Sequence, residues 1–337
     1  VSRRTVLVTG ASGLVGAATV EALWHQPGTT VIALRHRARL SCAPGVRTVA
    51  GDITAPRLGL PDELLGEITD VVHCAAQVAW LKASPAMSAT NIEGTQRVCE
   101  FAALAGARLV HVSTAFVELD LTADTPAPIP GSRNHPGAYL DSKRAAEEVV
   151  RTHGPAEHVI ARIPGVLGDS RTGDTGGALQ GFHRFVAAAV QGRIPAVPLA
   201  PDAVLDLLPT DVIGHALAAL VAAPAYPELV RITAGPAAPT MARVAAAITE
   251  TAGAAPPALL DAATLARRLS EAGTAPNTPA WRRVADLAAM CEVYRPRHAF
   301  PTDLGSIPGT VAPGTADVLG ALAALTRYLA GQLAAVG

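Results

Sequence analysis

Short runs of β-branched and aliphatic residues alternate with segments of helical period through the first half of the chain. The strand-like runs cover residues 5–9, 30–34, 47–50, 70–74, 108–112 and 158–162, and helical patterns fill 13–24, 84–105 and 139–152. Strands that alternate with helices need crossover connections, which build a parallel sheet. The nearly unbroken apolar character of 70–74 and 108–112 predicts strands buried on both faces. The expected fold class is α/β, a Rossmann-type doubly wound parallel sheet with a smaller, mostly helical lobe. Beyond residue 162 the alternation loosens. Residues 165–177 are polar and Gly-rich, and 195–209 are Pro-rich. Residues 210–222 read as a helix with Thr210 or Asp211 near its N-cap, and 229–233 as a late strand that rejoins the sheet. From residue 240, helices are separated by Pro-containing linkers at 255–257, 276–279 and 296–301.

Composition narrows the class. The 337 residues suffice for a large domain with an appended lobe. Half of them are hydrophobic and 16% are charged, which favours a core-rich globular protein. The formal net charge is −1 and the aromatic share 4%, with no basic run interleaved with aromatics. Neither nucleic acid nor a membrane surface is therefore an expected partner. Cys42, Cys74, Cys99 and Cys291 are scattered, without a CxxC pair or a His–Cys cluster at zinc spacing. No metal is expected, and reduced thiols suit a cytoplasmic location. The first apolar run is too short for a signal-peptide h-region. The Ala/Leu-rich C-terminal stretch is interrupted by Asp317, Arg327 and Gln332, which argues against a membrane span.

Candidate chemistry begins at Gly10-Ala11-Ser12-Gly13-Leu14-Val15-Gly16, between the first strand and the first helix. Gly10 permits a tight turn, Gly13 lets a pyrophosphate approach, and Gly16 lets the helix pack on the strand. The spacing is G-x-x-G-x-x-G rather than G-x-G-x-x-G. After the second strand, an NAD enzyme places a carboxylate on the ribose hydroxyls. Here the residues are Leu34-Arg35-His36-Arg37-Ala38-Arg39. Cations at this point pair with a 2′-phosphate, so the expected cofactor is NADPH, with Arg35 among its ligands. Asp52, in Gly51-Asp52-Ile53, accepts from the adenine amino group or caps a turn.

Further on, Ser113-Thr114 ends an apolar run, and Tyr139 precedes Lys143 by four residues, one helical turn. A free tyrosine, with a pKa near ~10, is a poor acid–base catalyst at neutral pH. A neighbouring ammonium and a nicotinamide cation both favour the phenolate and lower that value. Thr114 is placed to bond a carbonyl oxygen, and with Tyr139 to stabilise the charge that grows there as hydride arrives. Ser113 is the alternative hydroxyl, because strand alternation points the two to opposite faces. His73, His111, His135, His153 and His183 form no triad or metal pattern and read as structural. Trp80 reads as packing or pocket wall. Asp169 and Arg171 either pair with each other or face a substrate.

These motifs, in order, resemble the extended short-chain dehydrogenases/reductases, and within them the thioester reductase, carboxylic acid reductase and fatty acyl-CoA reductase branch. The residues that carry the resemblance are 8–16, 51–54, 73–80, Asn91-Ile92-Glu93-Gly94-Thr95, Val112-Ser113-Thr114-Ala115, 139–143, and 162–173. The stretch from Trp80 to Thr95 and the segment 168–173 point to the thioester reductase branch. An Asn-Val-Tyr-Gly-like segment of sugar-nucleotide enzymes is missing. The resemblance implies Thr114, Tyr139 and Lys143 as the catalytic residues. It implies a cofactor site of Gly10, Ser12, Gly13, Leu14, Val15, Gly16, Arg35, Asp52, Ile53, Ala75, Ala76, Asn91, Tyr139, Lys143, Pro164 and Val166. Departures are Arg144, where the family has Trp, and a short loop before Tyr139 with Pro126, Pro128, Pro130 and Pro136.

The expected division is an NADP-binding domain of residues 1–165 and 205–236, and a substrate-binding lobe of 166–204 and 237–337. The expected function is an NADPH-dependent reductase of secondary metabolism, taking a thioester to aldehyde or alcohol. No adenylation or carrier segment lies within the 337 residues, so the acyl group would arrive as a free thioester or on a separate acyl carrier protein. The rivals are a ketoreductase or alcohol dehydrogenase on a natural-product or steroid-like carbonyl, an NAD-retaining epimerase or dehydratase, and a binding module without turnover.

Overall fold

The structure, a computed structural model, describes residues 3–37, 43–78, 84–120, 136–176, 179–261, 264, 267, 286–288, 290–294 and 298–336. Ala38, Arg39, Cys42, Trp80, Pro126, Pro128, Pro130 and His135 lie outside them.

Seven strands form one parallel sheet: β1 (Arg4–Thr9), β2 (Thr29–Arg35), β3 (Arg47–Ala50), β4 (Asp70–His73), β5 (Arg108–Thr114), β6 (His158–Ile163) and β10 (Leu229–Arg231). Their spatial order is β10-β6-β5-β4-β1-β2-β3. The order reverses between β1 and β4, which opens a crevice at the carboxyl ends of those strands. Alternation decides which side chains face which layer. Val6, Val8, Val72 and Val110 join one core cluster. Leu7, Val71, Leu109 and Ile160 join the other, with Val98, Phe101 and Ala102 packed over them. The sheet is thus covered on both faces, as expected of buried parallel strands. Asp70, fully buried at the head of β4, is paired with Arg108 at 2.6 Å and Arg4 at 3.2 Å.

Helix α1 (Leu14–Trp24) packs against α6 (Thr210–Ala222) on one face. The predicted helix 84–105 is broken into α2 (Pro85–Ser88), a π turn (Ala89–Glu93) and α3 (Gly94–Ala105). Ser84 caps it, accepting from the Met87 N–H at 3.2 Å. Helix α4 (Pro136–His153) starts three residues earlier than its pattern suggests, with Pro136 in the first turn, where a missing N–H costs nothing. Neither Thr210 nor Asp211 caps α6: the preceding residue is Pro209, and the Asp211 carboxylate accepts instead from the Ser170 backbone N–H and hydroxyl.

Outside the seven-stranded sheet lie α5 (Gly181–Val190), α7 (Met241–Ala252) and two short strand pairs. These pairs are β7 (Gly165–Val166) with β9 (Leu207–Leu208), and β8 (Ala196–Val197) with β11 (Ala258–Leu259). The last helix, α8 (Thr315–Val336), packs on α5 and α7 and buries Val318, Leu322, Leu325 and Leu329. Among the described residues it is the one helix long and apolar enough to cross a membrane, by length and composition alone.

Candidate active site

Gly10 leaves β1 with φ +67°, and a Cβ there would lie 2.6 Å from the Ala75 backbone nitrogen. Only glycine fits this turn and this approach. At Gly16 a Cβ would overlap the Gly10 carbonyl oxygen, so its absence lets α1 close onto the turn. Gly13 is the N-cap of α1 and offers no side-chain cap to the first helical turn. An uncapped helix N-terminus suits a phosphate.

The turn opens on a cavity of about 1320 Å³. That exceeds the roughly 300–1,000 Å³ of a single small-ligand site and leaves room for two bound groups. Around its walls stand Gly10, Ser12, Gly13, Leu14, Val15 and Gly16, then Asp52, Ile53, Ala75 and Ala76. At the other end stand Thr114, Tyr139, Lys143, Pro164 and Val166. Arg35 and Asn91 are not in this wall. The Arg35 side chain is exposed at the end of β2, and His36 and Arg37 line the cavity in its place. Asn91 is buried behind the wall, where its amide brackets the backbone of Gln77. Asp52 caps its own turn, accepting from the Thr54 N–H at 2.9 Å and hydroxyl at 2.8 Å, and pairs with His36 at 3.2 Å. The Thr54 bonds hold its carboxyl below the usual range, against the effect of burial.

Lys143 is buried and donates from Nζ to the Val112 carbonyl at 2.8 Å. Burial lowers its pKa to about 8, against the opposing pull of Glu147 and Cys74. Tyr139 is buried on the same helix, and burial pushes its phenol above the usual value. The expected lowering of the phenol by the ammonium is therefore not present in the protein alone; desolvation outweighs it. Ser113 and Thr114 both border the cavity, but the Ser113 hydroxyl donates to Glu147 at 2.6 Å. Among the described residues, Thr114 Oγ1 makes only a long contact, 3.4 Å, with the Phe116 N–H, which leaves its proton available.

Against this geometry, the family model described as male sterility protein, an NAD-binding family, matches residues 8–217, well over half of the chain. The chain belongs to this family of extended short-chain dehydrogenases/reductases. As a member it is an oxidoreductase that binds a nicotinamide dinucleotide. Among curated relatives, the polyketide synthase-nonribosomal peptide synthetase ACE1 of Pyricularia oryzae is 34% identical over 166 residues, 43% of this chain. The chain spans about 4% of the length of that relative. The dTDP-glucose 4,6-dehydratase of Mycolicibacterium smegmatis is 32% identical over 199 residues, 50% of this chain and 59% of the relative. The fold matches the terminal R domain of the myxalamid PKS-NRPS pathway, with a TM-score of 0.73 and 24% identity over 98% of this chain and 92% of that one. It also matches a UDP-glucuronic acid 4-epimerase from Bacillus cereus, with a TM-score of 0.67 and 18% identity over 98% and 99%.

Several residues of this reductase-family site were not evident as site residues from sequence. Glu147 follows Lys143 by one turn and is almost fully buried. It accepts from Ser113, from Arg162 at 2.9 and 2.6 Å, and from Arg151 at 3.0 Å. Burial raises its pKa, but these bonds hold it below the usual value. The spacing of Lys143 and Glu147 was the available signal. Tyr294, from the smaller lobe, stacks edge-on against Phe116 at 5.4 Å, and both face the cavity. No local pattern marks that contact. Asp169 does not line the cavity; its Oδ1 accepts from the backbone of Arg171 and Thr172 and folds its own loop. Against the effect of burial, these bonds and the Arg171 charge lower its pKa.

Proposed function

We propose that this chain is an NADPH-dependent thioester reductase, acting on an acyl-CoA or a carrier-bound acyl group. The observation that carries the reading is the convergence of Thr114, Tyr139 and Lys143 on the cavity that the glycine turn opens. The pyrophosphate would lie on the turn and the first residues of α1. Arg37 would meet a 2′-phosphate, since it lines the cavity just past the end of β2 while the Asp52 carboxylate is engaged by Thr54 and His36. When bound, the dinucleotide supplies a hydride to the substrate carbonyl carbon.

The chain's own residues do the rest. The Thr114 and Tyr139 hydroxyls donate to the carbonyl oxygen and stabilise the negative charge that develops on it. Tyr139 is protonated at neutral pH, because burial raises its pKa, and so is poised to give a proton rather than take one. Lys143 keeps its ammonium on the same face of α4, supported by Val112 and Glu147. Collapse of the tetrahedral oxyanion breaks the C–S bond and releases aldehyde and a thiolate, which takes up a proton to become the thiol; a second hydride from a second NADPH, with a proton from Tyr139, would give the alcohol. The far wall, with Phe182, Phe185, Leu199 and Met241, is apolar and suits an acyl chain. The relation to PKS-NRPS proteins supports a carrier-delivered substrate.

The test is NADPH oxidation by the purified protein against thioesters, aldehydes and ketones. Thioester-dependent oxidation with release of free thiol is expected. Turnover of ketones alone, or NAD⁺ retained through purification, would overturn the reading in favour of a ketoreductase or an epimerase-type enzyme.

A further inference from the structure

One chain of buried hydrogen bonds runs behind the cavity and takes no part in the chemistry above. It starts at the Ala75 N–H, which donates to Thr9 Oγ1 at 3.3 Å. Thr9 Oγ1 lies 2.7 Å from His73 Nδ1, and His73 Nε2 lies 3.1 Å from Thr95 Oγ1. Thr95 Oγ1 donates to the Asn91 carbonyl at 2.7 Å. The Asn91 side chain accepts from the Gln77 N–H at 2.7 Å and donates to the Gln77 carbonyl at 3.2 Å and to Ser142 Oγ at 2.9 Å. Ser142 Oγ donates to the Tyr139 carbonyl at 2.7 Å. Thr9, His73, Thr95 and Asn91 are each at most 1% exposed.

The direction of this chain is fixed by its ends. A carbonyl only accepts, so the single Thr95 hydroxyl proton is spent on Asn91, and His73 Nε2 must carry a hydrogen. The Ala75 N–H only donates, so the Thr9 hydroxyl proton is free to go to His73 Nδ1, which must be bare. One neutral tautomer satisfies every group. It joins the residue that lines the cofactor side of the cavity to the π turn, and through Asn91 and Ser142 to the helical turn of Tyr139.

We infer that His73 is a positioning residue: as its Nε2–H tautomer it holds the Ala75 loop with one ring nitrogen and the π turn behind Tyr139 with the other. This rests on the reading of Tyr139 and Lys143 as the reacting pair. Its two nitrogens therefore serve two separable purposes. The Nδ1 arm sets the shape of the dinucleotide seat, and the Nε2 arm sets the seat of the catalytic helix.

Asparagine at 73 can replace the Nδ1 acceptor and glutamine the Nε2 donor. His73→Asn and Thr95→Val should each lower kcat about tenfold and leave the KM for NADPH within about threefold, the loss of one buried hydrogen bond. His73→Gln and Thr9→Val should raise that KM about tenfold and leave kcat within about threefold. The Thr9 and Thr95 variants keep the side-chain shape and stand in should a residue-73 variant not fold. In the free protein, ¹⁵N spectra of the imidazoles should show His73 protonated on Nε2 and bare on Nδ1. Amide exchange should quicken near residues 75–77 in Thr9→Val, and near 89–93 and 139–143 in Thr95→Val. An Nδ1–H tautomer, or the same kcat and KM changes in both pairs, overturns the inference. A wild-type protein that fails to turn over NADPH strikes the functional reading alone; the tautomer and the exchange pattern then decide the case of His73.

Discussion

Lys143 holds its charge close to the limit that burial permits. With its pKa lowered to about 8, the ammonium is complete below that pH and lost as pH rises through it. The kcat/KM of the reaction, which reports the free enzyme, should therefore fall above about pH 8. A profile flat to pH 10 would mean that the charge of Lys143 is not required. Tyr139→Phe should lower kcat by about 10²–10⁴-fold, the usual worth of a positioned acid, while NADPH still binds in a fluorescence titration. At the other end of the cavity, Arg37→Ala should raise the KM for NADPH about tenfold or more and leave that for NADH nearly unchanged, since only the 2′-phosphate would lose its partner. Equal losses with both cofactors would contradict that role. The residue types and spacings of Thr114, Tyr139 and Lys143 are legible in the sequence because they are local. The proton affinities are not, because desolvation depends on what the fold lays over them. The placing of Arg35 depends on the fold in the same way: it is the last residue of β2, its side chain is exposed, and it is His36 and Arg37, the next two positions, that line the cavity.

Helix α4 carries Tyr139, Lys143 and Glu147 one turn apart on a single face. Glu147 ties that face to the sheet through Ser113 on β5 and Arg162 on β6. Removing one partner of a buried ion pair leaves the other uncompensated, so Glu147→Ala should cost about 3–5 kcal/mol of stability in denaturant unfolding. Arg162 keeps a second partner in Glu118 at 2.8 Å, which places the expected loss at the lower end. A variant as stable as the wild type would show that packing alone seats the helix. Most elements around this helix are legible from hydrophobic period, and the strands fall within two residues of their patterns. The π turn at 89–93 is not, because one added residue in a helical turn leaves no mark in the apolar spacing. What fixes it is Asn91, drawn inward by Gln77 and Ser142. The start of α6 at Thr210 is legible too; what the sequence does not show is that the Asp211 carboxylate is used by Ser170, a contact that spans 41 residues.

Across the whole molecule, the sheet buries two imidazoles side by side, His73 on β4 and His111 on β5, with ring centres 5.3 Å apart. Burial lowers the pKa of His73 to about 3 and that of His111 well below its usual value. Both are neutral when folded, whereas an unfolded histidine takes a proton near pH 6.5. The unfolded chain thus binds more protons between about pH 6.5 and 3. Stability should fall with acid across that window, by up to about 1.4 kcal/mol per pH unit for each imidazole. Thermal unfolding at pH 7.5, 6 and 5 checks this, and a melting point that did not fall over that range would refute it. The doubly wound sheet is legible at this scale because its strands and helices alternate in the sequence. The smaller lobe is less so: its strands are two residues long, and Ala-rich segments carry little contrast between faces. The central claim is hydride transfer to a thioester carbonyl in the shared cavity, and isotope transfer tests it most directly. NADPH deuterated at C4 on the transferred face, incubated with the protein and a panel of acyl thioesters, should leave deuterium on the former carbonyl carbon of the aldehyde or alcohol. Thioesters recovered intact, or products without the label, would contradict the account.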